Sequence, residues 1–420
     1  MTNLTRRINF SDCDNWQLDR GVIRHDTGRF FSIACIQDGN EEHVMIDQPE
    51  IGLLGYLLKE ESGELYWLVQ HKEEPGNAPI SQLSPTVQAT RSNYEQVHKG
   101  KSTPFLEYFT GKDKLAAVSA SEQGSKFLNK FNRNEKVLLS EQELSEHSYR
   151  SSNHEWLSTS QIKAALRESY SINTDARSVI ATSCWDLLFK DRAQPFSNPL
   201  LPSSLNHALA RSYQTVDSNR IEKAFNLLKT FNSTHRSSYS PKGLEAMEHH
   251  TLSELGIETE QGESVVNYFD VQIPSREVTH WQQPLLMRNE IEECLLYIAL
   301  IDGTAMVSIT AYPEPGFNNR VEFGPSMQSG KGGHKYTPNE LSLALLNADL
   351  ICSLEQTDEG GRFYQNRCRY GIAVGEAQTV LLKHENSCWV TLGELEKMTG
   401  TGGVLTNELR TNLSLLLAYS

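Results

Sequence analysis

The sequence predicts a mixed α+β protein built from two tandem copies of one module, the copies joined by a helical linker. Three observations predict this. A Glu-Pro-Gly turn with a second proline ten residues after its own occurs twice, as "EPGNAPISQLSPTVQ" (74–88) and "EPGFNNRVEFGPSMQ" (314–328), 240 positions apart. Each copy follows two short apolar runs separated by a glycine, and each precedes a tryptophan with a helix-start signature behind it. At 420 residues the chain also exceeds the ~250–300 that one core supports.

The elements are justified in chain order. "IRHDTGRFFS" (23–32) and "VTHWQQPLLM" (278–287) share a histidine followed five residues on by an apolar pair. "YLLKEESGELYWLVQHKEEPG" (56–76) aligns with "YIALIDGTAMVSITAYPEPG" (297–316) once one residue is deleted. β-Branched and aromatic residues flank a Gly turn in both, so each reads as a hairpin. "WLSTSQIKAAL" (156–166) and "WVTLGELEKMT" (389–399) each place Ser158 or Thr391 as an N-cap, with Gln161 or Glu394 three residues later to complete a capping box. The expected boundaries are a first module over 1–190, a helical linker over 191–264 with an amphipathic helix near 218–232, and a second module over 265–420.

Composition narrows the class. A hydrophobic content of 38% with 22% charged residues is that of an ordinary globular protein, and no run of 18 apolar residues exists, so neither a membrane span nor a signal peptide is expected. Seven scattered cysteines, never in a CxxC pair, suggest a reducing compartment and no structural zinc site, and a cytoplasmic location is expected. A net charge of −14 argues against broad nucleic-acid binding. Familiar signatures fail on their spacing. "GPSMQSGKGG" (324–333) has one residue too many between its glycines for a phosphate loop, no GxGxxG follows a strand, and no HExxH is present.

The tract "EEPGNAPISQLSPTVQATRSNYEQVH" (73–98) carries the candidate chemistry. Read as an extended strand, it puts Gln82, Ser84, Thr86 and Gln88 on one face and Leu83 and Val87 on the other, toward a core. A row of neutral amides and hydroxyls suits a hydroxyl-rich ligand. Arg91, Lys99 and Lys101 could meet a diphosphate, and Trp67, Tyr94, Phe105 and Tyr108 could stack on a base or sugar. The alternative is structural: Pro75-Gly76 as a turn, Ser84-Pro85 as forced extension, Asn93 as a cap and Gln88 as a brace.

"EPGNAPISQLSPTVQATRSNYEQVHKGK", "PFLEYF", "IRHDTGRFFSI" and "NTDARSVIA" (173–181) together resemble the motifs of the nucleoside-diphosphate-4-keto-6-deoxyhexose 2,3-dehydratases. The resemblance implies two Nudix-like modules per subunit without the Nudix metal motif, a homodimer, and a dTDP-4-keto-6-deoxyhexose substrate that loses water across C2–C3 in deoxysugar biosynthesis. It implies no metal and no redox cofactor, and a 3-ketoreductase acting downstream. The expected substrate-binding residues are His25, Arg29, Trp67, Gln82, Ser84, Thr86, Gln88, Arg91, Asn93 and Arg177, and the expected catalytic residues are Tyr94, His98 and Glu74. Which of Tyr94 and His98 is the acid and which the base stays open. The second copy keeps both prolines and Gln328 but is expected to lack counterparts of Thr86, Asn93 and Tyr94, so the chemistry is expected on the first module. A sugar-nucleotide binding or scaffold protein without catalysis is the alternative.

Overall fold

The computed structural model describes residues 4–90, 103–111, 113–146, 153–235, 239–276, 278–317, 320–330, 335–377 and 385–420. Over these residues the protein is mixed α+β, mostly sheet, with eight α-helices. The two halves repeat one sheet. In the first, the order is Ala116–Ser121, Phe131–Leu138, Gly52–Glu61, Glu64–Glu73, His154–Ser158. In the second, Ala348–Thr357, Arg367–Gly375, Glu292–Ile301, Thr304–Pro313 and Ser387–Val390 take the corresponding places. The central pair is parallel in both halves and its neighbours are antiparallel.

The hairpins are closed by Ser62-Gly63 and Asp302-Gly303, all four residues at positive φ, as the tight turn that matches strand twist requires. Both expected capping boxes form: Ser158 with Gln161 opens Thr159–Leu166, and Thr391 with Glu394 opens Leu392–Thr399.

The polar tract is not one extended strand. Ser81–Ser84 pairs with Glu64–Glu73, whereas Val87–Ala89 pairs with Gly52–Glu61, so the chain crosses from one arm of the hairpin to the other at Pro85, which has no N–H to satisfy there. Thr86 fills the split. Its Oγ1 accepts from the Leu57 N–H at 2.9 Å and donates to the Leu68 carbonyl. Contrary to the expectation that the second copy lacks a counterpart of Thr86, Ser326 does the same there, accepting from the Tyr297 N–H at 2.7 Å and donating to the Ser308 carbonyl at 2.6 Å, because a serine hydroxyl reaches the same two backbone groups. A hydroxyl at this position therefore holds the crossing in both copies.

The segment 191–264 is helical over Ser203–Gln214 and Ser218–Thr234, then becomes strand. His250–Ser253 and Gly256–Thr259 extend the sheet of Ser264–Gln272, as Trp16–Asp19 and Val22–His25 extend that of Ser32–Asp38. The first strands are exchanged: Leu4–Ile8 pairs with Ser264–Gln272 of the second half, and Ser240–Lys242 pairs with Ser32–Asp38 of the first.

One core serves both halves, with Trp67, Ile162 and Trp185 in the same cluster as Leu296, Ile309 and Leu413. At its centre Thr174–Ala181 packs on Asn407–Leu417. Thr174 bonds Asn407 at 3.1 Å, and Arg410 Nε donates to Ser178 Oγ at 2.9 Å. The Glu-Pro-Gly turns also dock across. The Gly76 N–H donates to the Gly360 carbonyl at 2.8 Å, and the Gly316 N–H donates to the Gly124 carbonyl at 2.7 Å. The approach is so close that a Cβ on Gly76 would lie 1.7 Å from the Phe363 oxygen, and one on Gly316 would lie 1.8 Å from the Phe127 oxygen. Only glycine fits there.

Candidate active site

The docking of Gly76 carries the loop Glu359–Arg362 of the second half onto the first half's sheet. A cavity of about 230 Å³ opens there, walled by Trp16, His25, Phe30 and Phe31 on one side and by Trp281 and Arg276 of the second half on another. It adjoins a smaller cavity of about 70 Å³, with which it shares Lys72, Gln88, Thr90, Arg276, Gly361 and Arg362. This inner space is charged: Glu74, Lys130, Asp175 and Glu359 line it.

The aromatic wall is held in place. Trp16 Nε1 donates to the Gln282 carbonyl at 2.8 Å, and its ring lies edge-on to His25 at 5.5 Å. His25 Nδ1 accepts from the Thr27 N–H at 3.3 Å, which leaves the ring proton on Nε2, and burial pushes its pKa below the usual value. Arg362 lies over Phe31 with its guanidinium carbon 4.4 Å from the ring centre, and its Nε donates to Gln48 Oε1 at 3.1 Å. Arg276 donates to the Glu73 carbonyl at 3.1 Å and stands 5.9 Å from the Trp281 ring centre.

The inner groups are set by the crossing tract. Gln88 Nε2 donates to Glu74 Oε1 at 3.3 Å, while its Oε1 accepts from Asn173 Nδ2 at 2.9 Å. Glu74 is also bonded by Asn77 at 3.3 Å and by the Gly360 N–H at 3.1 Å, and Lys72 Nζ lies 3.4 Å from it. Burial lowers the pKa of Lys72, against the pull of Glu74. Asn173 caps Thr174–Ala181 through the Ala176 N–H at 2.9 Å. Asp175 in that first turn is 3% exposed, and it makes no hydrogen bond or ion pair with the described residues. Its pKa is raised well above the usual range, first by burial and then by Glu359, Glu122 and Glu74.

The structure brings His25, Glu74, Thr86 and Gln88 together in this paired cavity. Arg29 is exposed and does not line it. Trp67 is 0% exposed, its Nε1 donating to Thr159 Oγ1 at 3.0 Å inside the core, where no ligand reaches. Gln82 and Ser84 are buried too. Gln82 donates to Thr357 of the second half at 2.9 Å, and Ser84 donates to the Pro85 carbonyl at 3.2 Å, so the expected ligand-facing row is broken by the crossing. Arg177, 1% exposed, donates to the Thr357 carbonyl at 2.8 Å and to Gln356 at 3.2 Å, joining the halves. Arg91, Asn93, Tyr94 and His98 lie outside the described residues.

Sequence reasoning missed Lys72, Asp175, Arg276, Glu359 and Arg362. Two further echoes carry a signal for most of them. "SEQGSKFLN" (121–129) matches "TDEGGRFYQ" (357–365), and "NTDAR" (173–177) matches "TNELR" (406–410), which sets Asp175 opposite Glu408.

An aromatic wall, two arginines and an inner set of carboxyls and amines, arranged in series between two like halves, suit an extended ligand with aromatic, anionic and hydroxylated parts. Comparison with known proteins gives the class. A model of the NDP-hexose 2,3-dehydratase family matches residues 2–183 and 222–416. The chain is 32% identical to a dTDP-4-dehydro-6-deoxy-α-D-glucopyranose 2,3-dehydratase of Saccharopolyspora spinosa, over 94% of this chain and 84% of the relative. It is 31% identical to an enzyme so named in Amycolatopsis orientalis (98% and 86% covered) and 30% identical to one in Streptomyces violaceoruber (97% and 92% covered). The chain belongs to the NDP-hexose 2,3-dehydratase family.

Proposed function

We propose that the paired cavity binds a dTDP-4-keto-6-deoxyhexose and eliminates water across C2–C3, giving a 3,4-diketo-2,6-dideoxy sugar nucleotide for deoxysugar biosynthesis. The observation that carries this is the order of surfaces within one cavity of a chain in this family. Trp16, Phe30 and Trp281 suit a pyrimidine base, Arg276 and Arg362 suit a diphosphate, and the inner group of Lys72, Glu74, Gln88 and Asp175 suits a hexose.

The ketone at C4 makes the C3 hydrogen acidic. A base removes it, the C4 oxygen takes up the charge, and the C2 hydroxyl leaves as water; the enol so formed ketonises at C3. No electrons are gained or lost overall, so the step balances without a redox partner. Lys72, at the junction of the two cavities, suits a donor to the C4 oxygen. Glu74 has three hydrogen-bond donors and an ammonium on its carboxylate, which suits it to positioning Lys72 and Gln88 more than to moving a proton. Of the acid and base roles that the sequence leaves open between Tyr94 and His98, the base at C3 is kept for one of this pair; both lie outside the described residues.

We assign each half a Nudix-like topology, with the helices Ser203–Gln214 and Ser218–Thr234 as the connection, in a cytoplasmic homodimer whose product feeds a 3-ketoreductase. The shared sheet order with a parallel central pair supports the first point, and seven free cysteines fit a reducing compartment. The test is a coupled reaction. The chain, dTDP-4-keto-6-deoxyglucose, a 3-ketoreductase and reduced nicotinamide should yield a 2,6-dideoxy-4-keto sugar nucleotide. Tight binding of the substrate without loss of water would instead mean a binding protein.

A further inference from the structure

We infer that Asp175 is the acid that protonates the departing C2 hydroxyl, an inference that rests on the dehydratase reading above. Three observations meet on this residue. Its side chain lines the inner cavity, it is 3% exposed, and it has neither a hydrogen bond nor an ion pair among the described residues. A buried carboxyl left without a partner is costly when charged and cheap when neutral. Such a group, facing a hydroxylated ligand, is a proton donor.

The surroundings argue the same way. Glu74 from the turn, Glu122 beside the strand Phe131–Leu138, and Glu359 from the second half's loop all oppose a negative charge on Asp175, and Lys72 favours it. Lys130, Arg276 and Arg362 line the same inner cavity, and Arg177 follows two residues on. Burial together with the three carboxyls prevails, and the pKa is raised well above the usual carboxylate range. An ordinary reading would have Asp175 stabilise its helix by its charge on the first turn. That role needs an ionised carboxylate, and the Ala176 N–H is already taken by Asn173.

The step balances as follows. A base takes the C3 proton and the electron pair of that bond moves onto the C4 oxygen as an enolate; it then returns to form the C2=C3 double bond as the C2–O bond breaks. The leaving hydroxyl takes the Asp175 proton and departs as water. The enol is then protonated at C2 by the group that took the C3 proton, and its O3–H proton returns to Asp175, which restores both.

The test compares the full chain and its Asp175→Asn variant on dTDP-4-keto-6-deoxyglucose in D2O, alongside the analogue bearing fluorine at C2, which needs less proton assistance to leave. Asn keeps the volume and polarity but cannot deliver the proton. The variant should lose water elimination by roughly 10²–10⁴-fold in kcat, while it still exchanges the C3 hydrogen for deuterium, binds thymidine diphosphate as before and releases fluoride with a much smaller loss. Water elimination within tenfold of the parent chain, or equal losses for water and fluoride, overturns the inference. Should the variant not fold, the parent chain decides: its kcat for water falls as pH rises through the Asp175 ionisation, and its kcat for fluoride does not; a shared alkaline limb overturns the inference. A parent chain that releases no water from the natural substrate defeats the dehydratase reading itself, a result distinct from these.

Discussion

Arg362 shows how finely one residue at the cavity is specified. Phe31 supports the flat face of its guanidinium and Gln48 fixes its edge, so the remaining N–H groups are pre-aimed for an anion. Arg362→Lys keeps the charge and loses the plane. Affinity for thymidine diphosphate should fall by about tenfold, or ~1.4 kcal/mol, with thermal stability unchanged; calorimetric titration checks this. Sequence gave partial access to the neighbours of Arg362. Polar alternation in the tract was legible, yet only Thr86 and Gln88 of that row line the cavity, whereas Gln82 reaches Thr357 of the second half and Ser84 is buried against the Pro85 carbonyl. A polar residue turned toward a partner module and one turned toward a cavity look alike until the crossing at Pro85 is known.

At the scale of elements, the strength of the pattern decided what could be read. The hairpins and the helices capped by Ser158 and Thr391 were legible because glycine turns and capping boxes are local chemistry. The exchanged strands Leu4–Ile8 and Ser240–Lys242 were not, since their pairing is fixed by partners more than 200 positions away. Three predictions belong here. Gly76→Ala drives a methyl into the Phe363 carbonyl, which displaces the loop that presents Arg362; activity should fall by at least tenfold. Gly316→Ala meets the Phe127 carbonyl on the far side, so its cost should appear in the melting temperature more than in the rate. Ser158→Ala removes the helix cap beside the cavity-forming strand and should cost about 1 kcal/mol in urea denaturation, because the Gln161 N–H loses its acceptor.

The whole molecule is two like halves fused through one core, and charge at their junction sets its response to pH. Burial pushes Glu122, Glu322 and Glu408 each up to about 7. Glu122 is held by Asn407 across the junction at 2.9 Å, and Glu322 accepts from Ser121. A carboxyl whose folded pKa is raised holds its proton in the native state after the unfolded chain has lost it. Stability should therefore decline as pH rises from about 4.5 to about 7 and level off above that. Melting temperature against pH checks this, and Glu322→Gln, which needs no proton, should flatten part of the decline by an amount on the order of 1 kcal/mol.

The same fusion makes the proposed active site a joint product, with the sheet and tract from the first half and Arg276, Trp281 and the Glu359–Arg362 loop from the second. A crystal structure with a bound, unreactive dTDP-hexose tests this most directly. The base should lie along Trp16 and Trp281, the diphosphate between Arg276 and Arg362, and the hexose in the inner cavity with C2 within hydrogen-bonding reach of Asp175. A sugar nucleotide seated instead against Glu314 and Gln328 of the second half, or a hexose left outside the inner cavity, would contradict it.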